Sequence, residues 1–152
     1  SELLPYITDS ATQSYDGALS GQQGGQDLTA VADDLTAFTN GLSCIAAVAD
    51  QVQNGISARD GMAASLYYLE LYLKRARTAH PTVYAALQAA PDWQKVVRYA
   101  WARAAFWRKV AAPSSQLGVA DAAIWAHVDD PTSSSEIAMF AGSSLSDIEC
   151  HP

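Results

Sequence analysis

The chain has no basic residue before Arg59 and none after Lys109. Residues 1–58 carry seven acids, residues 110–152 carry six, and all nine Lys and Arg fall between them beside three acids. The net charge is −7 and the sequence pI about 4.6. A nucleic-acid binder spreads positive charge over a face or carries a recognisable motif, and neither is present, so no nucleic-acid partner is expected. Long apolar runs are also missing, which excludes a bilayer span. No basic stretch followed by an apolar one opens the sequence, so no signal peptide stands in it as given. No five-residue segment alternates apolar and polar residues with β-branched weight, and no repeat recurs at 20–50 residues.

Catalytic and cofactor signatures are absent as well. No Ser lies in a Gly-x-Ser-x-Gly elbow. Gly21, Gly24 and Gly25 lack the flanking strand and the Lys of a phosphate loop. The three histidines, His80, His127 and His151, show no Glu-x-x-His spacing of a bundle metal site. His127, Asp129 and Asp130 are close in sequence, but they sit where a helix meets Pro131. Asp33-Asp34 and Asp129-Asp130 are adjacent pairs, which point apart on a helix and read as solvated surface. No metal, no cofactor and no catalytic residue is therefore assigned, and a binder is expected rather than an enzyme.

Cysteine is scarce, at two residues: Cys44 and Cys150. A bridge between them would close a loop of about 107 residues, with up to ~4.7 kcal/mol of chain-entropy stabilisation. A cysteine that is the third residue from the end contributes little to a core, because termini fray unless tied. We therefore expect a Cys44–Cys150 disulfide and, with it, an extracytoplasmic setting, periplasmic or secreted.

What is present is helical. Apolar residues make up 49% and charged ones 16%, a globular composition. The expected fold is all-α: a single bundle of five to six helices over residues 27–152, with an extended N-terminal arm over 1–26 and a polar tail over 143–152. Within the arm, Leu3, Leu4 and Ile7 form an apolar cluster able to dock on the body. Asp27 suits a helix N-cap. After it, Leu28, Val31, Leu35, Phe38, Leu42, Ile45, Ala49 and Val52 recur at steps of 3 and 4, which predicts one long helix with a weak point at Asn40-Gly41. Ser57 and Asp60 resemble a capping box for a helix over 57–78, whose inward face is Met62, Leu66, Leu69, Leu73 and Ala76. Glu70 and Lys74 make an i,i+4 pair on its flank. Pro81 stops it, a short helix with Val83 and Leu87 inward follows, and Pro91 opens the next over 92–112. There Trp93, Val96, Val97, Ala100, Ala104 and Trp107 share a face, with Trp101 at its margin. Leu117, Ala120, Ile124 and Val128 predict a further helix. Ser133 and Glu136 predict a capped last one, ending at Gly142.

Residues 57–112 hold three of the four Trp and five of the seven Tyr. Two central helices carry a second stripe beyond the apolar one. Tyr68, Tyr72 and Arg75 fall at i, i+4, i+7. Lys95, Tyr99 and Phe106 line one side of the following helix, flanked by Arg98, Arg103 and Lys109. Tyr and Arg are the usual anchors of protein interfaces. The leading expectation is a small exported binding protein acting on another protein or on a second copy of itself: an inhibitor, an immunity-type neutraliser or an assembly factor. The alternative is an enzyme or carrier that holds a small anionic ligand between helices 57–78 and 92–112, through Arg75, Arg98, Arg103 and Tyr72.

Overall fold

Helix α3 (Ala58–Ala79) is the axis around which the other helices pack in the computed structural model of the chain. The structure describes residues 2–15, 27–52, 55 and 57–148. In chain order its helices are α1 (Ser10–Gln13), α2 (Leu28–Ala46), α3, α4 (Pro81–Ala89), α5 (Pro91–Ala111), α6 (Asp121–Val128), α7 (Pro131–Ala141) and α8 (Leu145–Ile148). Short 3₁₀ turns lie at Leu4–Tyr6, Ala49–Gln51 and Ser115–Leu117. No strand occurs among the described residues, and the fold is all-α. The described residues form eight helices rather than five or six because two of them, α1 and α8, are single four-residue turns, too short to show a period.

Helix α3 touches α2, α4, α5, α6 and α7. It is buried nearly all round over residues 59–71. Leu66, Leu69, Leu73 and Met62 form its fully buried face, as their spacing predicts. Helix α2 runs unbroken through Asn40-Gly41, with Asp27 Oδ1 accepting from Ala30 N at its start. Its stripe holds at Leu28, Val31, Leu35 and Leu42, but Phe38 is partly exposed. The Phe38 ring lies over Gly61, where a Cβ would come within 2.3 Å of it. Gly61 is thus the notch that lets α2 and α3 approach.

Several local expectations give way to long-range contacts. Ser57 makes no side-chain cap on α3. Asp60 instead accepts from Val119 N at 3.1 Å and Ala120 N at 3.2 Å. Its neighbour Arg59 donates to Ala111 O at 2.8 Å and pairs with Asp121 at 3.0 Å. Arg59 and Asp60 together hold the connection from α5 to α6, and so the helix expected from Leu117, Ala120, Ile124 and Val128 is a 3₁₀ turn, a break at residues 118–120, and then α6. Helix α7 is capped by Asp130, whose Oδ1 accepts from Thr132 N at 2.8 Å, with Pro131 in its first turn. The Ser133–Glu136 box does not form, because Glu136 is buried and held by Arg77 at 2.7 and 2.9 Å. Gly142 ends α7 in the left-handed region at φ 65°. On α4, Tyr84 rather than Val83 faces the core.

Cys44 is exposed and free, so the expected Cys44–Cys150 disulfide is not seen. It sits on the solvent side of α2, between the buried stripe positions Leu42 and Ala49. Cys150 lies outside the described residues. No helix of the described residues is long and apolar enough to cross a membrane.

Candidate functional site

The three α3 residues of the aromatic and basic stripe serve the chain itself. Tyr68 is buried, and its hydroxyl donates to Thr12 O at 2.6 Å. Tyr72 is half-buried; burial raises its phenol pKa, against the lowering effect of a hydrogen bond from the Leu28 backbone. Arg75 Nε donates to Glu2 Oε2 at 2.7 Å, and His80 Nε2 lies 3.2 Å from the same oxygen. Hydrogen bonds from Arg75 and His80 hold the Glu2 carboxyl below its ordinary range. Residues 2–15 are therefore strapped across α3 and α6, with Leu3, Ile7 and Thr12 buried beneath them. The strap's other acid, Asp9, caps α1 by accepting from Thr12 N at 2.7 Å and sits 3.0 Å from His127 Nε2. His127 in turn stacks on Tyr67.

Helix α5 behaves differently. Val97, Ala100, Ala104 and Ala111 are its buried edge, and Trp101 is buried too. Val96, expected inward, is 40% exposed. With Tyr99 (63% exposed), Arg103, Phe106 and Val110 (44% exposed) it forms an outward seam. The steps are 3, 4, 3 and 4, the spacing of a helix-pairing face. The seam runs for about 21 Å at the helical rise. The Arg103 guanidinium lies 5.4 Å from the Tyr99 ring centroid while Nη2 donates to Asn40 Oδ1 at 2.7 Å. Phe106 meets Trp107 edge-on at 5.3 Å. Beside the seam, Arg98 donates from Nε and Nη2 to Ala141 O at the end of α7. Both arginines are thus fixed by uncharged oxygens. Lys95 pairs with Asp92 at 3.1 Å, with both side chains well exposed, so the pair contributes only ~0–1 kcal/mol. Of the stripe residues, Lys95, Arg98, Tyr99, Arg103 and Phe106 all lie on α5, but Arg98 turns to the end of α7 and Arg103 to α2; Tyr68, Tyr72 and Arg75 lie on α3.

On the opposite flank of α5 is a cleft of about 450 Å³, bounded by α3, α5, α6, α7 and α8. Its walls include Leu66, Trp101, Trp125 and Leu145, with Arg108, Lys109 and Asp129 as its charged groups. The Arg108 guanidinium lies 4.0 Å from the Trp125 ring centroid and forks onto Asp129, with both bonds at 2.7 Å. The indole N–H groups of Trp101 and Trp125 are buried and have no acceptor among the described residues. An orphaned buried donor costs ~1–3 kcal/mol.

Glu70 is the residue least visible beforehand. It is fully buried on α3, and neither carboxyl oxygen has a hydrogen-bond partner among the described residues. Burial, then the charges of Asp129, Asp130 and Glu136, push its pKa up to about 10. It is a neutral acid at pH 7, not the solvated partner of Lys74. Its one sequence cue is its setting, a single acid flanked by Leu69 and Leu71 among tyrosines. The cleft residues had a cue as well: Trp101, Ala105, Arg108 and Ala112 step by 4, 3 and 4 along the flank of α5 opposite Tyr99. Among the described residues no group of three or more His, Cys, Asp or Glu could hold a metal ion.

No family model matches the chain, and neither does any curated protein or solved structure.

Proposed function

We propose that the protein is a binding module whose outward α5 seam receives an acidic amphipathic helix of another protein. The supporting observation is the run Val96, Tyr99, Arg103, Phe106 and Val110 at helix-pairing spacing, with Val96, Tyr99 and Val110 exposed and Arg103 and Phe106 half-buried between them. Isolated exposed apolar residues need no explanation, but three exposed ones, Val96, Tyr99 and Val110, stand in register with the half-buried Phe106 along four turns of one helix. An amphipathic helix laid along such a strip anchors through residues at i, i+3, i+4 and i+7.

Charge selects the partner. Arg98 and Arg103 bond only to uncharged oxygens among the described residues, so their positive charge is not matched locally. A second copy pairing antiparallel about the seam's centre would bring Arg103 against Arg103. Like charges face to face disfavour that arrangement, whereas Glu or Asp flanking an apolar stripe would complement it. Tyr99, the most exposed large residue of the strip, is the expected anchor.

Selection of helical peptides from a random library tests this. Peptides enriched on the wild-type protein should carry apolar residues at 3,4 spacing flanked by Glu and Asp, and should lose ~30-fold or more in affinity for Tyr99→Ala. Enriched peptides without acidic flanks, or binding unaffected by Tyr99→Ala, would contradict the proposal.

A further inference from the structure

We propose that the strap, residues 2–15, is a proton-sensitive latch over α3 and α6, fastened while His80 and His127 are charged and loosened as they lose their protons. The strap has two charged residues, Glu2 and Asp9. The described residues hold two histidines, His80 and His127. Each acid meets one of them. Glu2 Oε2 lies 3.2 Å from His80 Nε2, and Asp9 Oδ2 lies 3.0 Å from His127 Nε2. His80 stands at the end of α3 and His127 on α6, so the strap is fastened to two different elements. An imidazole changes charge between about pH 5 and 8, a range in which both carboxylates stay ionised.

The two fastenings differ. Glu2 also accepts from Arg75 Nε at 2.7 Å, and that cation persists through the whole range. Asp9 has no second cation among the described residues: its Oδ1 accepts from Thr12 N at 2.7 Å and its Oδ2 meets His127. Tyr67 of α3 stacks on the His127 ring at 5.1 Å, and the charges of Asp9, Glu70 and Asp130 act on its phenol. Burial keeps that phenol and Glu70 uncharged near pH 7, and Asp129 is held by Arg108, so Asp9 is the anion that answers the ring. Around His80 stand Glu2, Arg75 and the Tyr6 phenol beside Arg75. Helix α4 brings no charged residue there, and its Tyr84 packs on Phe140. Loosening therefore starts at Asp9. A neutral imidazole still donates one hydrogen bond, so the strap slackens rather than detaches. Its own structure is a three-residue 3₁₀ turn and the four-residue α1, too short to persist unless docked. Slackening uncovers Leu3, Ile7 and the Tyr68 hydroxyl that donates to Thr12 O.

Hydrogen exchange of residues 2–15 at pH 5.5 and pH 8 tests the latch, with labelling times scaled to the intrinsic rate. Each variant is compared with wild type at the same pH, which cancels the pH dependence that Glu70 lends to the whole fold. Glutamine keeps a donor but never a charge. His127→Gln should therefore lower strap protection ~3-fold or more at pH 5.5, and far less at pH 8. His80→Gln should lower it less at pH 5.5, because Arg75 still holds Glu2. Asp9→Asn removes the same charge pair from the strap side and keeps a capping oxygen, so it should match His127→Gln at pH 5.5. It also serves if His127→Gln does not fold. Equal losses at the two pH values, no loss at pH 5.5, or a larger loss from His80→Gln than from His127→Gln would overturn the inference.

Discussion

Arg98 closes the end of helix α7: its Nε and Nη2 both donate to the carbonyl oxygen of Ala141. Tyr99, the next residue, turns its ring to solvent. Neighbours on one helix therefore have separate duties, and substitution should separate them. Arg98→Glu removes a charge-assisted bond to a helix C-terminus and places an anion there, at an expected cost of ~1–3 kcal/mol. Tyr99→Ala should change stability by less than ~0.5 kcal/mol. Urea denaturation of both variants checks this. Equal losses would mean that Tyr99 is packed rather than presented.

Glu70 should make the protein less stable as pH rises. A carboxyl whose pKa is raised in the folded state stabilises fully below its ordinary value of 4.5, and the contribution is lost as pH climbs toward about 10. At pH 7 the burden is on the order of 3 kcal/mol. Glu70→Met should therefore stabilise the protein at pH 8 by at least ~3 kcal/mol more than it does at pH 4.5. Denaturant melts at the two pH values measure it; an equal gain at both would mean the carboxyl does not stay neutral.

Gly61→Ala carries a sign that helix propensity alone gets wrong. Alanine in a helix interior normally gains ~1 kcal/mol over glycine. Here its Cβ would lie 2.3 Å from the Phe38 ring, so the ring must move and α2 with it. The expected result is a net loss of ~1–3 kcal/mol. In a Phe38→Leu background the loss should shrink or reverse. A double-mutant cycle by thermal melts reads the coupling directly.

The N-terminal strap should loosen in acid. For Asp9, burial raises the carboxyl's pKa, but the hydrogen bonds from Thr12 and the charge of His127 outweigh it and leave the pKa below its ordinary value of 3.8. That contribution is present above pH 3.8 and is lost as pH falls below it. Asp9→Ala also removes the α1 cap, at ~0.5–2 kcal/mol. Hydrogen exchange over residues 2–15 should speed up in Asp9→Ala at pH 7 and change little in Asp9→Asn, which keeps a capping oxygen. Unchanged exchange in Asp9→Ala would show that Leu3 and Ile7 hold the strap without it.

Much of this architecture was legible in the residues, for local reasons. Pro91 marks a helix start because proline suits a first turn; Pro81 and Pro131, read as stops, open α4 and α7 for the same reason. Gly142 marks an end because the chain turns left-handed there. The 3,4 steps of α2 identified its buried stripe at Leu28, Val31, Leu35 and Leu42, but the helix ends at Ala46, short of the expected Ala49 and Val52. Other features were set by partners far away in sequence. Asp60 looked like a cap for its own helix and instead caps the break before α6. Glu70 looked like half of a surface pair because Lys74 stands four residues on, yet α6 and α7 cover it. On α5, apolar and aromatic residues occur on both flanks, so periodicity alone could not choose between Val96 and Trp101 as the buried one. The cleft arises only when α6, α7 and α8 meet α5. The expectation of export rested on a disulfide, and Cys44 is exposed and free.

The most direct measurement of the α5 seam is photo-crosslinking in the native host with p-benzoylphenylalanine at position 99. The account predicts an adduct with another protein at 99 and at 110, mapped to an acidic amphipathic helix of that partner. It predicts none at position 83, which is exposed on α4 away from the seam. Raising salt before irradiation should lower the yield, because attraction between exposed charges is screened beyond ~8–10 Å. No adduct at 99, equal adducts at 83 and 99, or an adduct only with a second copy of this chain would contradict it.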